Sequence, residues 1–263
     1  MNAEHPEALF PTLDFASLRE REGLVIGEIA GRDSIAALIE AVRGHGVSAI
    51  LPTIAFAGTE YGDAEAPLRA VEYLREHLGA RAEVLEPVEL RSPVLWSALN
   101  ARFTAEIERR FGIYSPCLAC HLYMHLLRVP LSWALGNVPV VAGERDTHAG
   151  AVKLSQTPSG IDAARDVMLH AGIELWEPIR HLEDNAAIEE LVGEDWPQGG
   201  KQLECVLSGN YKSLDGSVTY DRDAYAAYVR DCLVPAGRAI IDAWRNDPEP
   251  DYIGVVRAVL TLT

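Results

Sequence analysis

The chain has 263 residues, of which 48% are hydrophobic and 24% charged, enough to bury one large α/β core or a domain with a substantial extension. No apolar run reaches roughly 18 residues, and the opening MNAEHPEALFPTLDF carries early acids where a secretory signal would be basic, so a cytoplasmic protein without a membrane span is expected. The net charge of −16, half of it in residues 181–263, opposes the basic surface that nucleic-acid binding demands.

After an irregular lead-in, residues 24–30 read as a short buried strand running into the turn Gly31-Arg32-Asp33-Ser34. A helix follows, with Ile35, Leu38, Ile39 and Val42 at helical spacing. Residues 48–57 form a second apolar strand in which Pro52 predicts an irregularity. An amphipathic helix over 64–78 and a third strand over 82–90 come next. Leu95, Leu99, Phe103, Ile107 and Phe111 recur every fourth residue and predict one long helix over 93–111. Arg102, Arg109 and Arg110 on it read as solvated charge. A further helix spans 116–133, and residues 138–143 form a fourth strand followed by a polar loop. A helix over 160–171 leads to a fifth strand near 173–180. This alternation predicts an α/β fold, a doubly wound parallel sheet of Rossmann-like type, over 1–180. Residues 181–263 break the rhythm and read as a mostly helical extension. It has a short helix near 185–193, a turn-rich stretch around Gly199-Gly200, and a last helix from 222 that Pro235 should kink.

Three features carry chemistry. The turn 30–34 lies at the carboxyl end of the first strand, where α/β proteins bind ligands, and the following helix N-terminus favours an anion. Turn and cap duties alone also account for Gly31, Asp33 and Ser34. The second feature is Cys117-Leu118-Ala119-Cys120-His121, with His125 one turn on. Two thiols at that spacing can clasp a metal or cluster, form a redox pair, or be buried. His121 and His125 share a helix face and are candidate zinc ligands, or surface and packing residues. The third is Cys205, with 84 residues between it and Cys120. Cys232, among apolar neighbours of the last helix, reads as a core residue.

The Gly31-Arg32-Asp33-Ser34 turn resembles the Ser-Gly-Gly-x-Asp-Ser signature of PP-loop ATP pyrophosphatases, the adenine-nucleotide alpha-hydrolase superfamily. Ala30 replaces one of that signature's small residues, and Arg32 occupies its variable position. The resemblance implies that ATP and Mg²⁺ bind there, with Gly31, Arg32, Asp33 and Ser34 at the pyrophosphate. Gly143 would then lie beside the adenine, and Asp146, His148 and Lys153 near the reacting centre. The three cysteines Cys117, Cys120 and Cys205 resemble those of the tRNA two-thiocytidine and two-thiouridine sulfur transferases. In that subgroup such cysteines hold a 4Fe-4S cluster. The sequence departs from the subgroup after the fourth strand, where Gly143-Glu144-Arg145-Asp146-Thr147-His148 replaces Gly-His-x-x-Asp-Asp, and Arg128 is the basic residue on the cysteine helix. The resemblance implies an ATP-dependent sulfurtransferase. The acidic surface favours a small-molecule or carrier-protein substrate over tRNA and leaves a homodimer open. The alternatives are a PP-loop ligase or amidating enzyme with structural zinc, and a non-catalytic nucleotide-binding module.

Overall fold

The computed structural model describes residues 7–148, 150–193, 195–196 and 203–261. The expected turn at Gly199-Gly200 lies outside them. Helix α1 (Phe15–Arg19) occupies part of the expected irregular lead-in, because Asp14 caps it by accepting from the Ser17 amide at 3.2 Å, and Phe15 and Leu18 are buried.

The central sheet is wholly parallel. Strand β1 (Leu24–Glu28) lies between β2 (Ala49–Phe56) and β6 (Val140–Val141), with β7 (Leu175–Trp176) beyond β6. On the other edge, β4 (Glu83–Val84) and β5 (Val88–Arg91) both pair with β2. Successive residues on the sheet turn to opposite sides. Val25, Ile50, Ile54 and Val141 pack under α2 (Arg32–Gly44), α3 (Ala66–Leu78) and α9 (Asn185–Val192). Ile26, Leu51, Val140 and Leu175 face the remaining helices. This is the doubly wound α/β fold that the alternating sequence predicts.

The irregularity expected at Pro52 appears in the neighbouring strand instead. Ser48 and Ile50 carbonyls accept from Glu83 and Leu85 amides, so even-numbered residues of β2 face the β4/β5 edge. Pro52 therefore turns its missing N–H toward that edge, and the edge strand breaks between Val84 and Val88, around Pro87.

The long helix expected over 93–111 is two, α4 (Pro93–Asn100) and α5 (Thr104–Phe111). The Tyr114 hydroxyl donates to the Asn100 carbonyl at 2.5 Å, taking that acceptor out of the helical ladder. The helix expected over 116–133 likewise divides into α6 (Pro116–Leu126) and α7 (Val129–Ala134), where Pro130 enters the first turn of α7. Helix α8 (Pro158–His170) crosses to β7.

Beyond residue 180, α9 packs on α2, and β8 (Leu203–Cys205) pairs antiparallel with β3 (Glu60–Gly62). Helices α10 (Arg222–Tyr228), α11 (Val234–Trp244) and α12 (Tyr252–Thr261) share one apolar core with α6 and α8, so residue 180 does not separate two cores. Ahead of Pro235 the helix widens into a π-turn at Val229–Leu233, where the missing proline N–H cannot serve an α-helical bond. Among the described residues, no helix is long and apolar enough to cross a membrane.

Candidate functional site

The chain leaves β1 for α2 toward one edge of the sheet and leaves β6 for α8 toward the other. The carboxyl ends of β1 and β6 thus form a topological switch point, where open α/β sheets bind ligands. The loop after β1 leads into α2, whose first-turn amides have no partners within the helix. Ser34 is buried, accepts from the Ala30 and Gly31 amides at 3.0 and 3.1 Å, and donates to the Gly31 carbonyl at 2.7 Å. Its hydroxyl shapes the turn, the duty that turn and cap chemistry alone assigns it.

Gly143 lies against this turn. A Cβ there would stand 2.4 Å from the Ser34 amide nitrogen and 2.6 Å from the Asp33 carbonyl carbon, so the post-β6 loop can sit on the α2 N-terminus only because residue 143 has no side chain. Close packing of two backbone segments therefore accounts for this glycine.

Around Asp33 the structure gathers basic groups. Arg32 Nε is 3.4 Å from Asp33 Oδ1, and its two Nη atoms reach Glu189 and Asn185 at 3.3 Å. Arg145 is 1% exposed and donates to Asn185 Oδ1 and the Thr147 carbonyl, but its buried Nε has no hydrogen-bond partner among the described residues. That nitrogen stands 3.8 Å from Asp33 Oδ2, too far for a hydrogen bond. The buried Nε2 of His148 is likewise unpartnered among the described residues. Burial pushes the His148 pKa down to about 4, aided by Lys153 and Arg145 and opposed by Asp33, so the ring is neutral at pH 7. Lys153 is exposed, yet loss of solvent around its ammonium lowers its pKa against the upward pull of Asp33 and Glu144. Arg32, Asp33, His148 and Lys153 are therefore brought together at this corner. Asp146 is turned elsewhere: it receives Arg180 Nε at 3.1 Å and faces His181 Nδ1 at 3.2 Å, and its amide donates to the Arg180 carbonyl. It anchors the segment after β7, a correction to its expected place at the reacting centre.

Beneath this corner lies a buried charge network. Glu28, the last residue of β1, meets His125 Nδ1 at 2.7 Å and Arg128 Nη1 at 3.2 Å. Glu144 faces His125 Nε2 at 3.6 Å and His121 Nδ1 at 2.8 Å, and accepts from Gln156 at 2.5 Å. Burial raises the pKa of both carboxyls, but Arg128 and His125 bring Glu28 below its ordinary value, and His121 and His125 bring Glu144 well below it. Burial opposes a charge on His125, yet Glu28 and Glu144 overcome it and raise the ring to about 10. Glu177, just past β7, is 3% exposed with Oε1 unpaired among the described residues, and burial lifts it to about 7 against His125, Arg180 and Arg165. Sequence reading missed Glu28, Glu144, Arg145 and Glu177. The available signal was an acid closing an all-apolar strand and charged residues directly after the next strands.

The β3–β8 ribbon carries Cys205 to the cysteine helix, pairing it with Glu60. Cys205 Sγ accepts from the Leu207 amide at 3.4 Å, while Cys117 Sγ lies 3.6 Å from the Leu207 carbonyl. Cys120 Sγ accepts from Trp96 Nε1 at 3.4 Å. All three are free thiols within electrostatic reach of one another. Burial raises Cys117 and pushes Cys120 up to about 12, the latter despite the Trp96 N–H, so both are protonated here. Three soft sulfurs from two segments suit an iron–sulfur cluster or zinc as a donor set. Among the described residues, however, no group of three or more His, Cys, Asp or Glu is spaced to hold a metal ion, so ligation would require the Cys205 loop to close on α6 and the thiols to lose protons. Cys232 is buried in the core, as expected.

The chain is 34% identical over 255 residues to the uncharacterized protein MJ0009 of Methanocaldococcus jannaschii, an alignment covering 95% of this chain and 91% of that protein. It belongs to the same family as MJ0009. No protein-family model matches the chain.

Proposed function

We propose that the protein binds ATP at the α2 N-terminus and adenylates a substrate for sulfur transfer, as an enzyme of PP-loop type. The observation that carries this reading is the buried Arg145 Nε, without a hydrogen-bond partner among the described residues, beside Asp33 at the switch point. Buried polar atoms of native proteins are paired, so such a donor beside a helix N-terminus marks a place for an acceptor-rich anion. In a chain of net charge −16, Arg32, Arg145 and Lys153 around one carboxylate form a local exception suited to a polyphosphate.

In this reading the α2 amides, Arg32, Arg145 and Lys153 hold the phosphates, and Asp33 shares their charge with Mg²⁺. A substrate oxygen attacks the α-phosphorus and pyrophosphate leaves. A sulfur nucleophile then displaces AMP from the activated carbon. Cys117, Cys120 and Cys205 would hold a 4Fe-4S cluster, which when bound supplies an iron able to carry sulfide. The acidic surface favours a small molecule or a carrier protein as substrate.

Equilibrium dialysis with labelled ATP and Mg²⁺ tests the first step. Saturable binding that falls in Arg145→Met supports the reading, and no binding at millimolar ATP ends it. Analysis of anaerobically purified protein tests the second. About four irons and four acid-labile sulfides per chain, lost in Cys117→Ala, support sulfur transfer. Zinc without iron would move the assignment to a ligase or amidating enzyme.

A further inference from the structure

The cysteine helix is fastened to the sheet by charge on one side. His121, His125 and Arg128 fall at helical spacing, so they lie along one stripe of α6 and its carboxyl end. Each grips the carboxyl edge of the sheet. His121 holds Glu144 after β6; His125 bridges Glu144 and Glu28 of β1; and Arg128 spans Glu28 and Thr53 of β2, donating to the Thr53 hydroxyl at 2.8 Å and its carbonyl at 3.3 Å. His125 and Arg128 are each 2% exposed. Apolar side chains of similar size would hold two packed elements at lower desolvation cost, whereas buried ionic contacts are best attested as devices that select one register. Here the register set is that of the helix bearing Cys117 and Cys120, against the strand ends bearing the Asp33 corner. Glu144 directly follows Gly143, the residue seated on the α2 N-terminus.

We propose that His125 is a positioning residue: a buried ring whose two nitrogens face Glu28 and Glu144, which locks the cysteine helix to the loops after β1 and β6 and transmits a change at one to the other. The coupling half rests on the nucleotide reading above; the locking half does not. The charged groups facing the ring are Glu28 from β1, Glu144 from the post-β6 loop, Glu177 from beyond β7, and Arg128 from beyond the end of its own helix.

The test has three measurements on the full chain. Nitrogen-15 spectra of the His125 ring should show both nitrogens protonated throughout the neutral range; a neutral ring at pH 7.5 would overturn the proposal. Amide hydrogen exchange over residues 116–126 should quicken about tenfold in His125→Gln, in which the two buried carboxylates lose the cation that stands between them. Removing one of those charges in His125→Gln/Glu144→Gln should recover most of the protection, an effect that loss of packing alone would not produce. Exchange unchanged in the single variant, or no better in the double, refutes the lock. Finally, ATP should slow exchange over 116–126 in the natural protein and not in His125→Gln. ATP that binds without altering this segment refutes the coupling. Absence of ATP binding sinks the nucleotide reading and the coupling with it, while ring spectra and basal exchange still decide the lock.

Discussion

Along the carboxyl edge of the sheet, the charges around Glu28 are buried and paired with one another, whereas those around Asp33 keep donors to spare. Glu28, His125, Arg128 and Glu144 answer each other's desolvation cost with short contacts, and nothing further is required of them. Among the described residues, Arg145 leaves a buried N–H without a partner, and Lys153 reaches solvent. Paired charge of the first kind holds elements in place; unpaired charge of the second kind is open to a ligand. On the reading proposed above, the difference separates architecture from binding within one sheet edge.

The comparison can be broken most forcefully at Arg128. Arg128→Met should cost about 3–5 kcal/mol in urea unfolding, since it strips the cation from a buried carboxylate; a loss within experimental error would show that the network is not structural. Gly143→Ala tests the seam between the two regions. Its Cβ would press on α2 backbone atoms, so a cost of about 1–3 kcal/mol is expected together with weakened ATP binding. Lys153→Met should separate the regions most sharply. It should change stability by less than about 0.5 kcal/mol while lowering ATP affinity about tenfold. Equal effects of Lys153→Met and Arg128→Met on stability would dissolve the distinction.

The paired network should also respond to pH. The His125 ring titrates near 10 in the folded protein, above its ordinary value of 6.5, so its stabilisation is complete below about pH 6.5 and is lost as pH rises through 10. Glu144 is shifted the other way, and its contribution, present above its ordinary 4.5, is lost as pH falls through its depressed folded value. Unfolding free energy should therefore decline from pH 7.5 to 10.5 in the natural protein, and this part of the slope should vanish in His125→Gln.

Much of the fold was legible because it depends on local pattern. Apolar runs near 24–30, 48–57 and 138–143 became β1, β2 and β6, and the spacing of Ile35, Leu38 and Ile39 became the buried face of α2. The breaks within 93–111 and 116–133 were less legible, since a hydrophobic period continues across an interruption that a distant hydroxyl or a proline imposes. The β3–β8 ribbon was invisible because its three-residue strands acquire meaning only through pairing across the sequence. At the site, Asp33, His148, Lys153 and the turn role of Ser34 were nameable from their loops, but the turning of Asp146 toward Arg180 was not.

By itself the sequence determined the order of strands and helices, the glycine turn after the first strand, and the three cysteines. These follow from side-chain periodicity and local backbone preference, which act within a few residues. Only the tertiary structure decided that Glu28, His125, Arg128 and Glu144 would neutralise one another, and that Arg145 would be left, among the described residues, with a donor unspent. Charges interact through space, and the carboxyl ends of β1, β2 and β6 become neighbours only when the parallel sheet has formed.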